Sequence, residues 1–311
     1  MSTIRAGGCR LRNRAAGPLL VAVLVTGVGC TDASPSAEPA PSSTMAAEST
    51  ATTMALPQPQ AAKVEIELQA NIDAATAFAT GEGLEVSIAV IDRARRLEFV
   101  NGAAADEPIW GASLVKLFIA DNLLHRQRAG EFQLSAQDLN LLDAMIVSSN
   151  DTAADELYTR FGGDAMVTEV AQRYRLSSVV PTNQPGFWEL TMMSARDVAR
   201  YYDRFLSEAP TADRDYLLGL LRRTEEVAAD GFRQLFGLSA ALPGQTLALK
   251  QGWMCCPRET SYLHTTGILG LDDRYTVAIL SQNPGVFSTA YSTDLLGQVA
   301  ALLFPPGSLD K

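Results

Sequence analysis

The sequence predicts an α+β domain whose sheet is assembled from both ends of the chain around a helical block. Three observations carry this. Val86, Ile88 and Val90 alternate with Glu85, Ser87 and Ala89, the period of a strand; a polar turn over residues 92–95 then leads into a returning strand at 97–100. From Leu117 to about Phe236 the apolar residues recur at helical spacing. Strand-like runs resume only at 247–249, 262–271 and 275–280. Two strands at one end and three at the other can share a core only if the intervening helices form an insertion.

The remaining elements follow in order. Val64, Leu68, Ile72 and Ala75 place a helix at the start of the domain. Ser135 with Asp138 has the form of a capping box ahead of Leu139, Leu142 and Ile146. Asn150 or Asp151 is placed to cap the next helix, and Ser194 with Asp197 forms a second box before the stripe Val198, Tyr201, Tyr202 and Phe205. Residues 177–190, with Pro181, Asn183, Pro185 and Gly186, read as a loop. A last helix carries Tyr291, Leu295, Val299 and Leu302, and no internal repeat is present.

The amino terminus reads as an export signal over residues 1–29. Arg5, Arg10, Arg12 and Arg14 form a basic head and residues 19–28 a short apolar stretch. About ten apolar residues are too few to span a bilayer, which needs roughly 20. Cys30 follows Gly27-Val28-Gly29 and resembles the lipidated cysteine of a lipoprotein processing site, although Gly27 stands where a large aliphatic residue is usual. The expected location is the outer face of the cell membrane, anchored through Cys30; ordinary secretion is the alternative. Residues 31–62, rich in Ala, Ser, Thr and Pro, read as a flexible stalk, leaving 63–311 as the folded domain.

Charge and cysteine narrow the function classes. Losing the four signal arginines leaves 21 basic residues against 35 acidic ones, a formal charge of −14. Phosphates would be repelled, so nucleic acid is not an expected partner. Beyond Cys9 and Cys30 the only cysteines are the neighbours Cys255 and Cys256, and only two histidines occur, so a Cys/His zinc site has no support. Two adjacent cysteines lie below the usual Cα separation of a disulfide, which makes a bond between them possible but strained.

The chemistry concentrates on lysine. The chain has four, Lys63, Lys116, Lys250 and Lys311, among many arginines. Lys116 follows Ser113 by three residues, which on a helix puts both on one face. Lys250 opens Lys250-Gln251-Gly252 at the end of an apolar run, and Ser148-Ser149-Asn150 lies between. A guanidinium does not give up its proton, whereas a desolvated ammonium can, so lysine beside serine suits an activated nucleophile. Alone, Ser-x-x-Lys is weak evidence: Ser308 and Lys311 repeat it in a polar tail. Gly111-Ala112-Ser113 lacks the last glycine of a nucleophile elbow. A Ser-His-Asp triad would have to use His125, which reads as a surface residue, or His264, which reads as a hydrogen-bonded strand residue.

Ser-x-x-Lys, Ser-x-Asn and Lys-x-Gly in this order, after a hairpin, between helices and on a strand, resemble the class A β-lactamase and D,D-peptidase superfamily over roughly residues 63–304. The resemblance implies a five-stranded antiparallel sheet flanked by terminal helices, plus an all-α subdomain at about 117–236. It implies Ser113 as nucleophile, Lys116 as its base, and Ser148 as the hydroxyl relaying a proton to the leaving nitrogen. It further implies Asn150 as an amide orienting the substrate and holding Lys116, Lys250 as an attraction for a substrate carboxylate, and Gly252 as close backbone approach. Trp253 would supply an oxyanion amide together with Ser113.

Two departures stand out. The family's deacylating Glu-x-x-x-Asn is absent between Asn150 and Lys250; Glu189, with Met193 four residues later, is the only acid near the expected loop. Gln251 replaces the usual Thr or Ser. The expectation is a monomeric serine acyl-hydrolase that forms an acyl-enzyme with a β-lactam or a peptidoglycan stem peptide, without metal or organic cofactor. The alternative is a weakly catalytic penicillin-binding or scaffolding lipoprotein.

Overall fold

The computed structural model describes residues 58–285 and 289–309. The signal segment, Cys30 and most of the proposed stalk lie outside the described residues. Helix α1 already begins at Gln58 and runs to Gly81, so positions 58–62, read as stalk, are helical. The described residues from Pro59 onward form one compact unit.

The sheet joins the chain's distant ends. β1 (Glu85–Asp92) and β2 (Leu97–Val100) form the early hairpin, and β5 (Ala248–Met254), β6 (Thr260–Leu269) and β7 (Tyr275–Pro284) come from the far end. The order is β2-β1-β7-β6-β5, with every pair antiparallel. The central seam is β1 against β7, where Ile88 faces Ile279 in register. Both faces are covered. Ile88, Val90, Val277 and Ile279 join the core under α1 and α9 (Thr289–Leu303), whereas Ala89, Ile91, Ala278 and Leu280 join the core under the helical block. A strand buried on both faces reads as a continuous apolar run, which is why 86–91 contains so little polarity.

Between the sheet's halves lie α2 (Val115–Arg128), α3 (Ala136–Val147), α4 (Asp151–Phe161), α5 (Asp164–Arg173), α6 (Ala195–Glu208) and α7 (Thr211–Leu221), followed by the short α8 (Leu238–Ala241). In α2 every residue from Val115 to Leu124 is buried, which makes it the axis of the block. Its neighbours are amphipathic: Val198, Tyr201, Tyr202 and Phe205 all face inward on α6. Ser135 and Asp138 form the expected reciprocal capping box. At Ser194 only half the box forms. Its hydroxyl accepts from the Asp197 amide, while the Asp197 carboxylate accepts from the Ser178 amide and ties the preceding loop to α6.

Three features depart from the sequence expectation. β5 extends five residues past the apolar run, through Lys250-Gln251-Gly252 to Met254, because pairing with β6 buries its polar residues. A two-residue ribbon, β3 (Ile109–Trp110) with β4 (Met192–Met193), joins the segment before Ser113 to the loop before α6. On α9 the buried stripe is Leu295, Leu296, Val299, Ala300 and Leu303, whereas Tyr291 and Leu302 are exposed.

Gly267 sits where β6 meets β5, and a Cβ there would lie 2.3 Å from the Ala248 carbonyl oxygen. Backbone cannot yield as a side chain can, so Gly267→Ala should destabilise the fold by about 1–3 kcal/mol. Urea unfolding of the two proteins checks this; an unchanged midpoint would mean that β5 shifts without cost.

Candidate active site

Ser113 sits in a single 3₁₀ turn, Ala112–Leu114, that runs directly into α2. Three tethers hold the turn. The β3–β4 ribbon precedes it, the Gly111 amide donates to the Thr191 carbonyl at 2.8 Å, and His264 on β6 bonds the Trp110 carbonyl at 2.8 Å. Ala112 adopts φ +46°, in the left-handed region, at a cost on the order of 1 kcal/mol. Such strain persists only where the surroundings impose it, and here the tethers do.

His264 is fully buried, and its partners fix its tautomer. Trp110 O can only accept, so Nε2 carries the proton; the Ser281 amide can only donate, so Nδ1 accepts it at 3.3 Å. Burial pushes the imidazole down to about 4. His125, by contrast, is exposed near the end of α2.

The lysines meet beneath Ser113. Lys116 Nζ lies 2.9 Å from Ser113 Oγ, 2.6 Å from the Ser149 carbonyl, 3.2 Å from Ser149 Oγ and 2.6 Å from Asp151 Oδ1. Lys250 Nζ donates to the same Ser149 Oγ at 2.8 Å and to the Gln251 carbonyl at 3.0 Å. Both ammonium groups are buried. Burial holds Lys116 below the ordinary lysine range against the upward pull of Asp151, Asp230 and Asp155. Burial, reinforced by Lys116, holds Lys250 well below that range.

The sequence frame Ser148-x-Asn150 is displaced by one residue. Ser148 turns its hydroxyl onto the Ala144 carbonyl at 3.0 Å, and Asn150 spends its side-chain oxygen on the Ala153 amide at 2.9 Å as the N-cap of α4. The hydroxyl between the lysines is that of Ser149, and the side chain reaching Lys116 is that of Asp151. Ser149, at φ +51°, is held in the left-handed region to point inward. The tetrapeptide 148–151 offers two Ser-x-Asn/Asp frames, and the cap decides between them. An Asn bonded to its own helix cannot also reach across the site with that oxygen.

β5 forms the opposite wall. A Cβ on Gly252 would stand 3.0 Å from His264 and 3.1 Å from the Gly111 carbonyl, so strand and turn meet at backbone distance. Leu249 and Gln251 turn their carbonyls to the free edge, where Thr224 Oγ1 and Lys250 Nζ bond them at 3.0 Å each. Alternation along an antiparallel strand carries the Trp253 amide to that same edge. The Trp253 ring stacks on Phe232 at 4.6 Å, and its indole donates to Asp230. Gln251 ties β5 to the carbonyls of Gln234 and Phe236. Across the lysines, the loop before β4 lays the ring of Trp188 4.9 Å from Lys116 Nζ, with its indole on Asp155. Cys255 and Cys256, just past β5, are joined by a disulfide.

A five-stranded sheet with its serine-bearing turn against an all-helical block defines the β-lactamase-like fold, and comparison with known proteins agrees. A solved β-lactamase from Chitinophaga pinensis superposes with a TM-score of 0.63 at 14% identity, over 75% of this chain and 97% of its own. A PBP-A mutant in acyl-enzyme complex with penicillin G superposes with a TM-score of 0.62 at 20% identity, over 76% and 95%. At these identities the likeness concerns the fold. The model of the "Beta-lactamase enzyme family" matches residues 133–305, and the chain belongs to that family. It is also 38% identical over 239 residues to "Putative lipoprotein LppW" of Mycobacterium tuberculosis, covering 76% of this chain and 74% of that one.

His264 gives a pH test. Its protonation favours the unfolded chain, where an ordinary histidine titrates near 6.5. Its stabilising contribution is therefore complete above about pH 6.5 and lost as the pH falls toward about 4. The stability gap between wild type and His264→Asn should narrow by about 2 kcal/mol between pH 7 and pH 4.5. A gap constant over that range in urea titrations would contradict a buried neutral imidazole.

Proposed function

We propose that this chain is a serine acyl-hydrolase that attacks an amide carbonyl through Ser113, with a β-lactam or a D-Ala-D-Ala-type amide as substrate. The observation that carries it is the 2.9 Å contact between Ser113 Oγ and the Nζ of fully buried Lys116. A desolvated amine beside a hydroxyl is the arrangement an activated nucleophile needs. Lys116 takes the Ser113 proton as Oγ bonds to the carbonyl carbon. The amides of Ser113 and Trp253 then face the developing oxyanion. Ser149, rather than Ser148, passes a proton to the leaving nitrogen, because its oxygen lies within reach of both lysines. Lys250, Gly252 and Trp253 keep the substrate-side roles that the resemblance implies. Asn150 serves instead to start α4 and thereby place its neighbour Asp151.

The step after acylation is the slow one in this reading. The loop that carries the water-activating glutamate in class A enzymes here lays Trp188 over Lys116. An acyl-enzyme should therefore accumulate. Incubation with benzylpenicillin should give one covalent adduct in an intact mass spectrum, absent in Ser113→Ala and strongly reduced in Lys116→Ala. A wild type that stays unmodified for hours, with penicillins and acyl-D-Ala thioesters alike, would favour the scaffolding alternative.

Membrane attachment through Cys30 completes the proposal, supported by the signal-like amino terminus and the lipoprotein name of the mycobacterial relative. No helix among the described residues is long and apolar enough to cross a membrane. Cys30→Ala should move the protein from the membrane fraction to the medium. Unchanged fractionation would show that the anchor lies elsewhere.

A further inference from the structure

We infer that Asp151 completes a Ser113–Lys116–Asp151 triad, orienting the Lys116 amine toward Ser113 and stabilising the ammonium formed when Lys116 takes the serine proton. The inference rests on the reading of Ser113 as nucleophile; where the resemblance expects an amide to hold Lys116, the displaced frame puts the carboxylate of Asp151, and the counter-charge is what the inference adds.

Counting donors leads to it. Of the four oxygens around Lys116 Nζ, two can only accept, the Ser149 carbonyl and the Asp151 carboxylate, and both lie at 2.6 Å. A neutral amine has two N–H bonds. Spent on these two oxygens, they leave the lone pair for the hydroxyls, of which Ser113 Oγ at 2.9 Å is nearer than Ser149 Oγ at 3.2 Å. The two acceptors thus hold the amine in the orientation a base requires. As Oγ bonds to the electrophile, its O–H bond breaks and the proton becomes the third hydrogen on Nζ. The leaving group departs with the electron pair of the bond it loses, and Asp151 takes up no proton in this step. An ammonium formed in a buried site is costly unless paired, and Asp151 supplies the pair.

Asp151 is held there by the start of α4. Asn150 caps the helix and Asp151 opens its first turn, where a negative charge is favoured. Its side chain is 61% exposed, so one carboxylate serves the buried Lys116 while remaining largely in water. The other charged groups facing Lys116 are Asp155 on α4, Asp230 between α7 and α8, and Lys250 on β5. Asp155 gives an oxygen to the Trp188 indole and Asp230 one to the Trp253 indole, and both act on Lys116 electrostatically.

The test uses the full chain in detergent and an alkyl fluorophosphonate, which phosphonylates activated serines with loss of fluoride and requires no β-lactam recognition. The rate of Ser113 modification is followed by mass between pH 5 and pH 10, with thermal melting to confirm that each variant folds. In the wild type the rate should rise through one acid limb to a plateau. In Asp151→Asn the plateau should fall about tenfold or more, because the ammonium loses its counter-charge. The limb should also move to lower pH, because the carboxylate that raises the proton affinity of Lys116 is gone. Asp151→Glu should restore most of the plateau and the limb. A limb that stays in place in Asp151→Asn, or a wild-type Ser113 unlabelled at every pH, overturns the triad. Labelling with the expected limb shift but no penicillin adduct would support the triad and refute the β-lactam reading.

Discussion

Two ammonium groups buried within reach of one hydroxyl form the interaction on which the rest of this structure depends. Lys116 and Lys250 are each removed from water, and Lys116 raises the cost of charging Lys250. The fold compensates with acceptors placed around both: the Ser149 hydroxyl between them, the Ser149 and Gln251 carbonyls, and the Asp151 carboxylate. Placing those acceptors imposes backbone conditions. Ser149 must take a positive φ, α4 must begin at Asp151, and β5 must continue past its apolar run.

Each condition is met by packing away from the site. The 222–237 segment ties Val147 and Ser148 to β5, through the Gln234 side chain, the Ala229 amide and the buried Gln251 amide. His264 and the β3–β4 ribbon fix the turn that carries Ser113 from below and from the side. The serine is therefore held from β6, from the β3–β4 ribbon and through the 222–237 segment.

The lysine environment also bears on what the site can do. A protonated Lys116 would spend N–H bonds on Ser149 and Asp151 and direct its last one at a hydroxyl, with no lone pair for the serine. A neutral one is oriented to act. Burial pushes toward the second state and Asp151 toward the first, so in the proposed mechanism the balance between desolvation and one carboxylate sets how readily Lys116 serves as a base.

Much of this was written in local sequence. Alternation at 85–90, the Ser135 box and the Val198 stripe depend on neighbours within a few residues, and the hairpin, α3 and α6 follow from them. The pairing of Ser113 with Lys116 is likewise a matter of one helical turn. The sequence by itself therefore determined the element types, the pairing of Ser113 with Lys116, and the presence of Lys250 on a late strand. Only the tertiary structure decided that Ser149 and Asp151 face the lysines while Ser148 and Asn150 do not. That choice turns on a one-residue rotation between α3 and α4, fixed by the Asn150 cap and by the strap from Gln234 and Ala229. Contacts between residues some 80 positions apart leave no periodic trace in either segment. Tertiary packing also set Trp188 over Lys116 and turned Gln251 into a tether, because burial and partners depend on what the rest of the chain brings alongside.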